Sequence, residues 1–217
     1  MLTPPQKKIT ILLADDQPMA RAGIRTLLEQ AQDLEIVGEA QDGGQIKGLV
    51  AELRPQVLLL DLVMPNLSPA ELERWVRENH PETVTLVLTA HDRDATLAGM
   101  LDAGAAGYFS KDETAERLIH AIRRAVDGSM LFSDEQISRA RRWREGAKQK
   151  WESLTEREHQ VLQALAEGND NKNIAQSLDV TQKTIEKHLS SIYVKLGVTT
   201  RTEAALWQTE NGRDFPH

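Results

Sequence analysis

The sequence predicts a doubly wound α/β domain built on a five-stranded parallel sheet, followed by a small all-α domain. Three observations carry that expectation. Five apolar runs between residues 9 and 109 alternate with amphipathic stretches of helical period. After Gly128 the strand pattern disappears. The last segment reads as a short helix, a tight turn and a longer helix.

The strands are expected at Ile9–Ala14, Leu34–Val37, Val57–Leu60, Val84–Thr89 and Gly107–Phe109. The helices between and after them are expected at Met19–Glu29, Gly44–Leu53, Ala70–Asn79, Ala95–Ala103 and Ala115–Asp127. Ser68-Pro69-Ala70-Glu71 has the form of a capping box with proline at the first helical position. Gly128 stops the last of these helices. Ser133-Asp134-Glu135-Gln136 can cap a helix entering the basic run Arg139, Arg141, Arg142 and Arg144. Thr155-Glu156-Arg157-Glu158 opens a helix that Gly168 ends. Asn171–Leu178, the turn Asp179-Val180-Thr181 and Gln182–Leu196 follow, and Thr200-Arg201-Thr202-Glu203 caps a final helix through Trp207. The expected division is therefore 1–128, a partly helical basic linker over 129–150, and a helical domain over 151–217.

Bulk composition excludes several classes. The 217 residues contain no cysteine, so disulfides and cysteine-ligated zinc are ruled out. No apolar run approaches the ~20 residues of a membrane span, and MLTPPQKKIT lacks the apolar core of a signal peptide, so a cytoplasmic protein without a membrane partner is expected. The net charge of −7 is unevenly spread: residues 128–150 carry six Lys+Arg against three Asp+Glu, whereas the segments on either side are acidic.

A carboxylate, Asp61, ends the apolar run Val57–Leu60. Ionised, dry and unpaired it would cost several kcal/mol, so it calls for a counter-charge, a metal or a chemical role. Parallel strands bring their carboxyl ends to one edge, which gathers Asp15 and Asp16 from strand 1, Asp61 from strand 3, Thr89 from strand 4 and Lys111 after strand 5. Three carboxylates at one edge repel unless a hard cation joins them, and Mg²⁺ suits such a donor set. A carboxylate beside Mg²⁺, with a lysine and a hydroxyl to receive phosphoryl oxygens, is equipped to form an aspartyl phosphate.

LLADDQP, LLLDLVMP, LVLTA and GAAGYFSKD resemble the signature segments of receiver domains of two-component response regulators, a flavodoxin-like fold, over residues 8–128. The resemblance implies Asp61 as phosphoacceptor, with Asp15, Asp16 and the Val63 main-chain carbonyl joining it around Mg²⁺. It also implies Thr89 and Lys111 as phosphoryl-sensing groups, Ala90 as the small residue beside the phosphate, and Tyr108 as the moving aromatic of the switch. The chain departs from the pattern in the loop after Asp61, where Asn66 stands in place of the usual glycine and Ser68-Pro69 follows.

The stretch from Leu154 to Leu206 resembles the LuxR-type helix-turn-helix, which with a receiver defines the NarL/FixJ class of DNA-binding response regulators. On Gln182–Leu196, Ile185, Leu189, Ile192 and Leu196 form a core-facing stripe. Lys183, Glu186, Lys187 and Ser190 lie on the opposite face, with Thr181 and Thr184 at the helix start suited to phosphate. Lys172, Lys195 and Arg201 are read as cations on the same DNA face. Glu186 stands where the family usually has lysine; it repels phosphate but can accept from cytosine N4. Ala204, Ala205 and Trp207 are read either as a dimer contact or as core.

The expected function is phosphorylation-gated binding of promoter DNA. The partners are a sensor histidine kinase, double-stranded DNA and a second copy of the phosphorylated chain. An enzyme is not expected: a phosphohydrolase of the haloacid dehalogenase type wants a second acid where Val63 stands, and Ala14–Pro18 has no glycine-rich phosphate loop. A receiver working without phosphorylation, or an output domain that binds protein instead of DNA, are the alternatives within the family.

Overall fold

The computed structural model describes residues 8–212. The charge and polarity read at residues 1–7 and the last residues of the expected final domain lie outside the described residues. Among the described residues no helix is long and apolar enough to cross a membrane. The chain divides into two compact units, and the division falls in sequence between Ala140 and Arg141.

In the first unit, strands β1 (Ile9–Ala14), β2 (Leu34–Ala40), β3 (Val57–Leu60), β4 (Val84–Thr89) and β5 (Gly107–Ser110) form one sheet in the order β2-β1-β3-β4-β5. Every pairing is parallel. Helices α1 (Pro18–Leu28), α2 (Gly43–Leu53), α3 (Pro69–Asn79), α4 (Asp94–Ala103) and α5 (Ala115–Val126) connect and follow the strands. The doubly wound parallel sheet expected from the alternating pattern is thus present, with β2 three residues longer than the apolar run alone indicated.

The side-chain period of two divides each strand between two helix layers. Ile11, Leu13, Val57, Leu59, Leu86 and Leu88 pack with Ile24 and Leu28 of α1 and Leu118, Ala121, Ile122 and Ala125 of α5. The alternate residues Leu12, Leu58, Leu60 and Val87 are equally buried, as are Ile46, Val50, Leu72, Val76, Leu97 and Met100 of α2–α4. All four residues of β3 have 0% exposure, which is why its sequence is an unbroken apolar run and not an alternation. Truncating one of them, such as Leu59, to alanine would cost about 2–5 kcal/mol. At Gly107 an added Cβ would lie 2.7 Å from Phe109 Cε2 and 3.1 Å from Leu131 Cβ, so a side chain there would have to push both neighbours aside.

One expected cap does not form. Ser68 is the N-cap of α3 but its side chain makes no capping hydrogen bond. Pro69 stands at the first helical position with its φ already set for the helix, so α3 starts there without the Ser68 side chain. At Ser133 the reverse holds: Gln136 N donates to Ser133 Oγ at 3.1 Å and Ser133 N to Gln136 Oε1 at 2.9 Å, a complete box. It opens α6 (Asp134–Glu152), a single continuous helix where a partly helical linker was expected.

In the second unit α7 (Glu156–Ala166), α8 (Asn171–Ser177), α9 (Gln182–Leu196) and α10 (Arg201–Asn211) surround one core. Ile185, Leu189, Ile192 and Leu196 are buried, as their spacing predicts, against Val161, Leu162, Leu165, Ile174, Ala204 and Trp207. Capping boxes at Thr155 and Thr200 open α7 and α10. Asp179 takes a left-handed conformation (φ 52°) to turn the chain from α8 into α9, and Gly197 (φ 68°) ends α9.

Candidate phosphoacceptor site and nucleic-acid face

The sheet ladder itself places the acidic residues. Just past the strand ends, Asp15 N donates to Ala40 O (3.0 Å), Asp61 N to Ala14 O (2.9 Å) and Lys111 N to Thr89 O (3.0 Å). Backbone hydrogen bonds between neighbouring strands therefore hold the three chemical groups in register before any side chain acts. Asp15 and Asp61 are 1% and 3% exposed. Lys111 Nζ stands between them, 2.7 Å from Asp15 Oδ2 and 2.8 Å from Asp61 Oδ2. Burial lowers the pKa of the Lys111 ammonium, but hydrogen bonds to Asp15 and Asp61 and their charges outweigh it and raise the net value, so the lysine stays cationic.

Carboxylate oxygens of Asp15, Asp16 and Asp61 lie within 4.8 Å of one another. Asp16 Oδ1 is buried and makes no hydrogen bond. Such an atom is costly unless a donor or a cation meets it. An oxygen-only donor set converging at that spacing, with an orphaned buried oxygen, fits a hard divalent ion. Receiver domains generally bind Mg²⁺ at an acidic pocket of this kind. On the rim, Val63 N donates to Asp61 Oδ1 at 3.3 Å and Val63 itself is exposed. Thr89, at the end of β4, is 1% exposed and its Oγ1 accepts from His91 N at 3.1 Å. Ala90, next in the chain, is exposed beside it.

Tyr108 is already buried at 3% exposure, and its hydroxyl donates to the His91 carbonyl at 3.4 Å. Burial and the Asp92 charge push its pKa up to about 12, so it is a neutral donor. Its carbonyl accepts from Gln136 Nε2 of α6 at 2.8 Å. Nearby, Arg139 of α6 grips both oxygens of Asp92 (2.7 and 2.9 Å) and reaches Asp94 Oδ1 at 2.6 Å. Sequence reasoning counted Arg139 with the free basic residues of the linker; the aspartates just before and at the start of α4 were the signal it passed over.

Two further residues escaped the sequence reading. Arg21 is buried, donates to Asp15 O at 2.7 Å and pairs with Glu39 at 2.9 Å, bracing the start of the acidic loop. Glu73 of α3 is fully buried, and neither of its oxygens has a well-aligned hydrogen-bond partner among the described residues. Burial raises its pKa; the neighbouring Thr85 hydroxyl and Arg77 oppose this without winning.

In the helical unit, Thr181, Lys183, Glu186, Lys187 and Ser190 are exposed along α9, Thr184 is half-buried, and Lys172 is exposed on α8. Thr181 caps α9 and its Oγ1 lies 2.9 Å from Thr184 Oγ1. Two cations expected on this face are engaged inside the domain. Lys195 Nζ is 2.7 Å from the buried Glu158, and Arg201 donates to Asn171 Oδ1 at 3.0 Å and to the Asn169 carbonyl. For Lys195 the cause is Glu158, since a buried carboxylate must be paired and Lys195 reaches it. Ala204 (0% exposed) and Trp207 (6%) are core residues and not a dimer face, while Ala205 is half-buried.

Comparison with known proteins agrees with both halves. Residues 11–123 match the family described as response regulator receiver domain. Residues 152–208 match the luxR family of bacterial regulatory proteins. The chain belongs to the DNA-binding response regulators. Transcriptional regulatory protein YdfI of Bacillus subtilis is 35% identical over 93% of this chain and 96% of its own. Response regulator protein VraR of Staphylococcus aureus is 33% identical over 92% and 95%. Among solved structures, the response regulator ChrA of a heme-sensing two-component system matches at 31% identity, covering 94% and 97% of the two chains, with a TM-score of 0.54. The RcsB–DNA complex matches at 28% identity over 94% and 99%, with a TM-score of 0.62. This response regulator therefore pairs a receiver with a LuxR-type helix-turn-helix, and its family works as regulators of transcription.

Proposed function

We propose that a sensor histidine kinase transfers a phosphoryl group to Asp61 and that this gates binding of promoter DNA by the helical unit. The observation that carries the reading is Lys111 Nζ held within 2.8 Å of both Asp15 and Asp61 at the mouth of the sheet. In the transfer, an Asp61 oxygen bonds to phosphorus as the P–N bond to the donor imidazole breaks, and the electron pair returns to the imidazole nitrogen. Asp15, Asp16, Asp61 and the Val63 carbonyl would hold Mg²⁺, which when bound neutralises charge on the phosphoryl oxygens. Lys111 gives up its contact with the ionised Asp61 and takes a phosphoryl oxygen. Thr89 keeps its own O–H to offer a second.

Movement of Thr89 reaches the linker by a short path. Thr89 bonds His91 N, His91 O accepts from Tyr108, and Tyr108 O accepts from Gln136. The same loop carries Asp92, which Arg139 grips. A shift there loosens α6 from the receiver, and either dimerisation of the receiver or release of the recognition helix follows. Two linked helices then occupy two half-sites, with Lys172, Lys183 and Lys187 meeting phosphates and Glu186 and Ser190 facing base edges. Lys195 stays with Glu158 and leaves that role.

Acetyl phosphate with Mg²⁺ should modify the full chain, and beryllofluoride with Mg²⁺ should raise its affinity for a selected two-half-site DNA. Asp61→Asn should abolish both responses. Equal modification of that variant overturns the assignment. Arg139→Ala should raise DNA binding without phosphoryl donor; unchanged basal binding removes α6 from the relay.

A further inference from the structure

The loop from Asp61 to α3 is held in place from outside the acidic site. Asn66 stands in it at φ 56°, the left-handed region that asparagine tolerates better than most residues. Asn66 Nδ2 donates to Asp42 Oδ2 at 2.7 Å. The other Asp42 oxygen accepts from Gly44 N at 2.7 Å and caps α2, so both ends of that carboxylate are in use. One residue on, Gly43 N donates to Pro65 O at 2.9 Å. A Cβ at Gly43 would lie 2.7 Å from Leu67 Cα and 2.9 Å from Asn66 O, so the two turns are in direct contact. Between this clamp and Asp61 lies Val63, whose N–H bonds Asp61 Oδ1.

We infer that Asp42 and Asn66 are positioning residues for the phosphoacceptor site: their hydrogen bond ties the β3–α3 loop to the start of α2 and so fixes the Val63 backbone beside Asp61. The inference rests on the reading of Asp61 given above. Neither residue touches the acidic cluster, and both act through the main chain. A loop freed of this tether spends part of its time with the Val63 peptide turned away from Asp61. Binding of a cation that uses the Val63 carbonyl then weakens by the share of time lost. One hydrogen bond of this partly exposed kind corresponds to about a threefold to tenfold effect.

The test uses the full chain and three variants. Asn66→Gly keeps the left-handed turn at no steric cost and deletes the tether. Asn66→Asp sets two carboxylates against each other. The double variant Asp42→Asn with Asn66→Asp restores a donor–acceptor pair with its direction reversed, keeps a good α2 cap and keeps the wild-type charge. Mg²⁺ affinity is read by calorimetry without any phosphoryl donor, and the rate of labelling by acetyl phosphate is read separately. The single variants should bind Mg²⁺ about threefold to tenfold more weakly and label more slowly, while the urea transition stays a single cooperative step with only the modest shift that one lost hydrogen bond causes. The double variant should return close to wild type. Added negative charge alone would tighten Mg²⁺ binding, so weaker binding by Asn66→Asp speaks for geometry. Wild-type affinity in either single variant, or a double variant as weak as Asn66→Asp, overturns the inference. Equal labelling of the wild type and the Asp61→Asn variant sinks the Asp61 reading, while the Mg²⁺ affinities still decide the tether.

Discussion

The two units handle charge in opposite ways. In the receiver, charged groups are buried at strand ends and satisfied by one another, with Lys111 between Asp15 and Asp61 and Arg21 beneath the acidic loop. On α9 the proposed reading groups are exposed. A buried, mutually dependent set fails as a whole when one member is lost. An exposed set loses strength in steps, because each phosphate contact is screened and separable. On the proposed function, the same chain would thus pair an all-or-none chemical site with a graded binding face.

The sharpest way to probe that contrast is Lys111→Met. It leaves Asp15 and Asp61 facing each other without a cation, which should cost about 3–5 kcal/mol by urea denaturation in EDTA. Saturating Mg²⁺ should recover part of the loss, since a divalent ion replaces the missing charge. A variant as stable as wild type in EDTA would mean the pair is not interdependent.

Glu158, 4% exposed, departs from the exposed character of the proposed DNA face. Burial opposes its ionisation, but hydrogen bonds from Lys195, Ser191 and Thr155 bring its pKa down to about 2 from the usual 4.5. A depressed carboxylate adds stability that is fully present above its unfolded value and lost as pH falls through its folded one. Glu158→Gln should therefore cost about 1–3 kcal/mol at pH 7, Lys195 being partly exposed. The deficit against wild type should shrink between pH 4.5 and about 2. A deficit independent of pH would point to shape and not charge.

On the exposed face, Lys187→Ala should weaken DNA binding about threefold to tenfold and lower the salt slope by about one. An unchanged slope would place Lys187 away from phosphate. The smallest effect is expected at Glu73, whose raised pKa works in the opposite sense to Glu158: its ionised form destabilises the fold once pH exceeds its unfolded value. Glu73→Gln should stabilise by about 1 kcal/mol at neutral pH and by nothing near pH 4. A destabilised variant at pH 7 would assign Glu73 a paired role.

How much of this was legible in the sequence depended on what fixes each residue. Asp15, Asp61, Thr89 and Lys111 were readable because strand ends in a parallel sheet share one edge, so position in the chain gives position in space. The stripe Ile185–Leu196 was readable from helical period alone. Lys195, Arg201, Ala204 and Trp207 were not, since period tells which residues share a face but not which neighbour covers it. The capping reading failed at Ser68 because residue types allow a cap but do not fix the side-chain rotamer that makes it, and Pro69 starts the helix through its own fixed φ. Asn66 was visible as a departure from the pattern, yet its partner Asp42 is 24 positions away and no local signal joins them.

Gln136 does two things with one amide group. Its oxygen closes the first turn of α6 on Ser133, and its nitrogen holds the Tyr108 carbonyl. Because both ends belong to one planar unit, unwinding that turn and letting go of the strand are a single event. Amide exchange at Ser133 should therefore quicken in step with any disturbance of β5, which would make one backbone proton a reporter for the proposed relay.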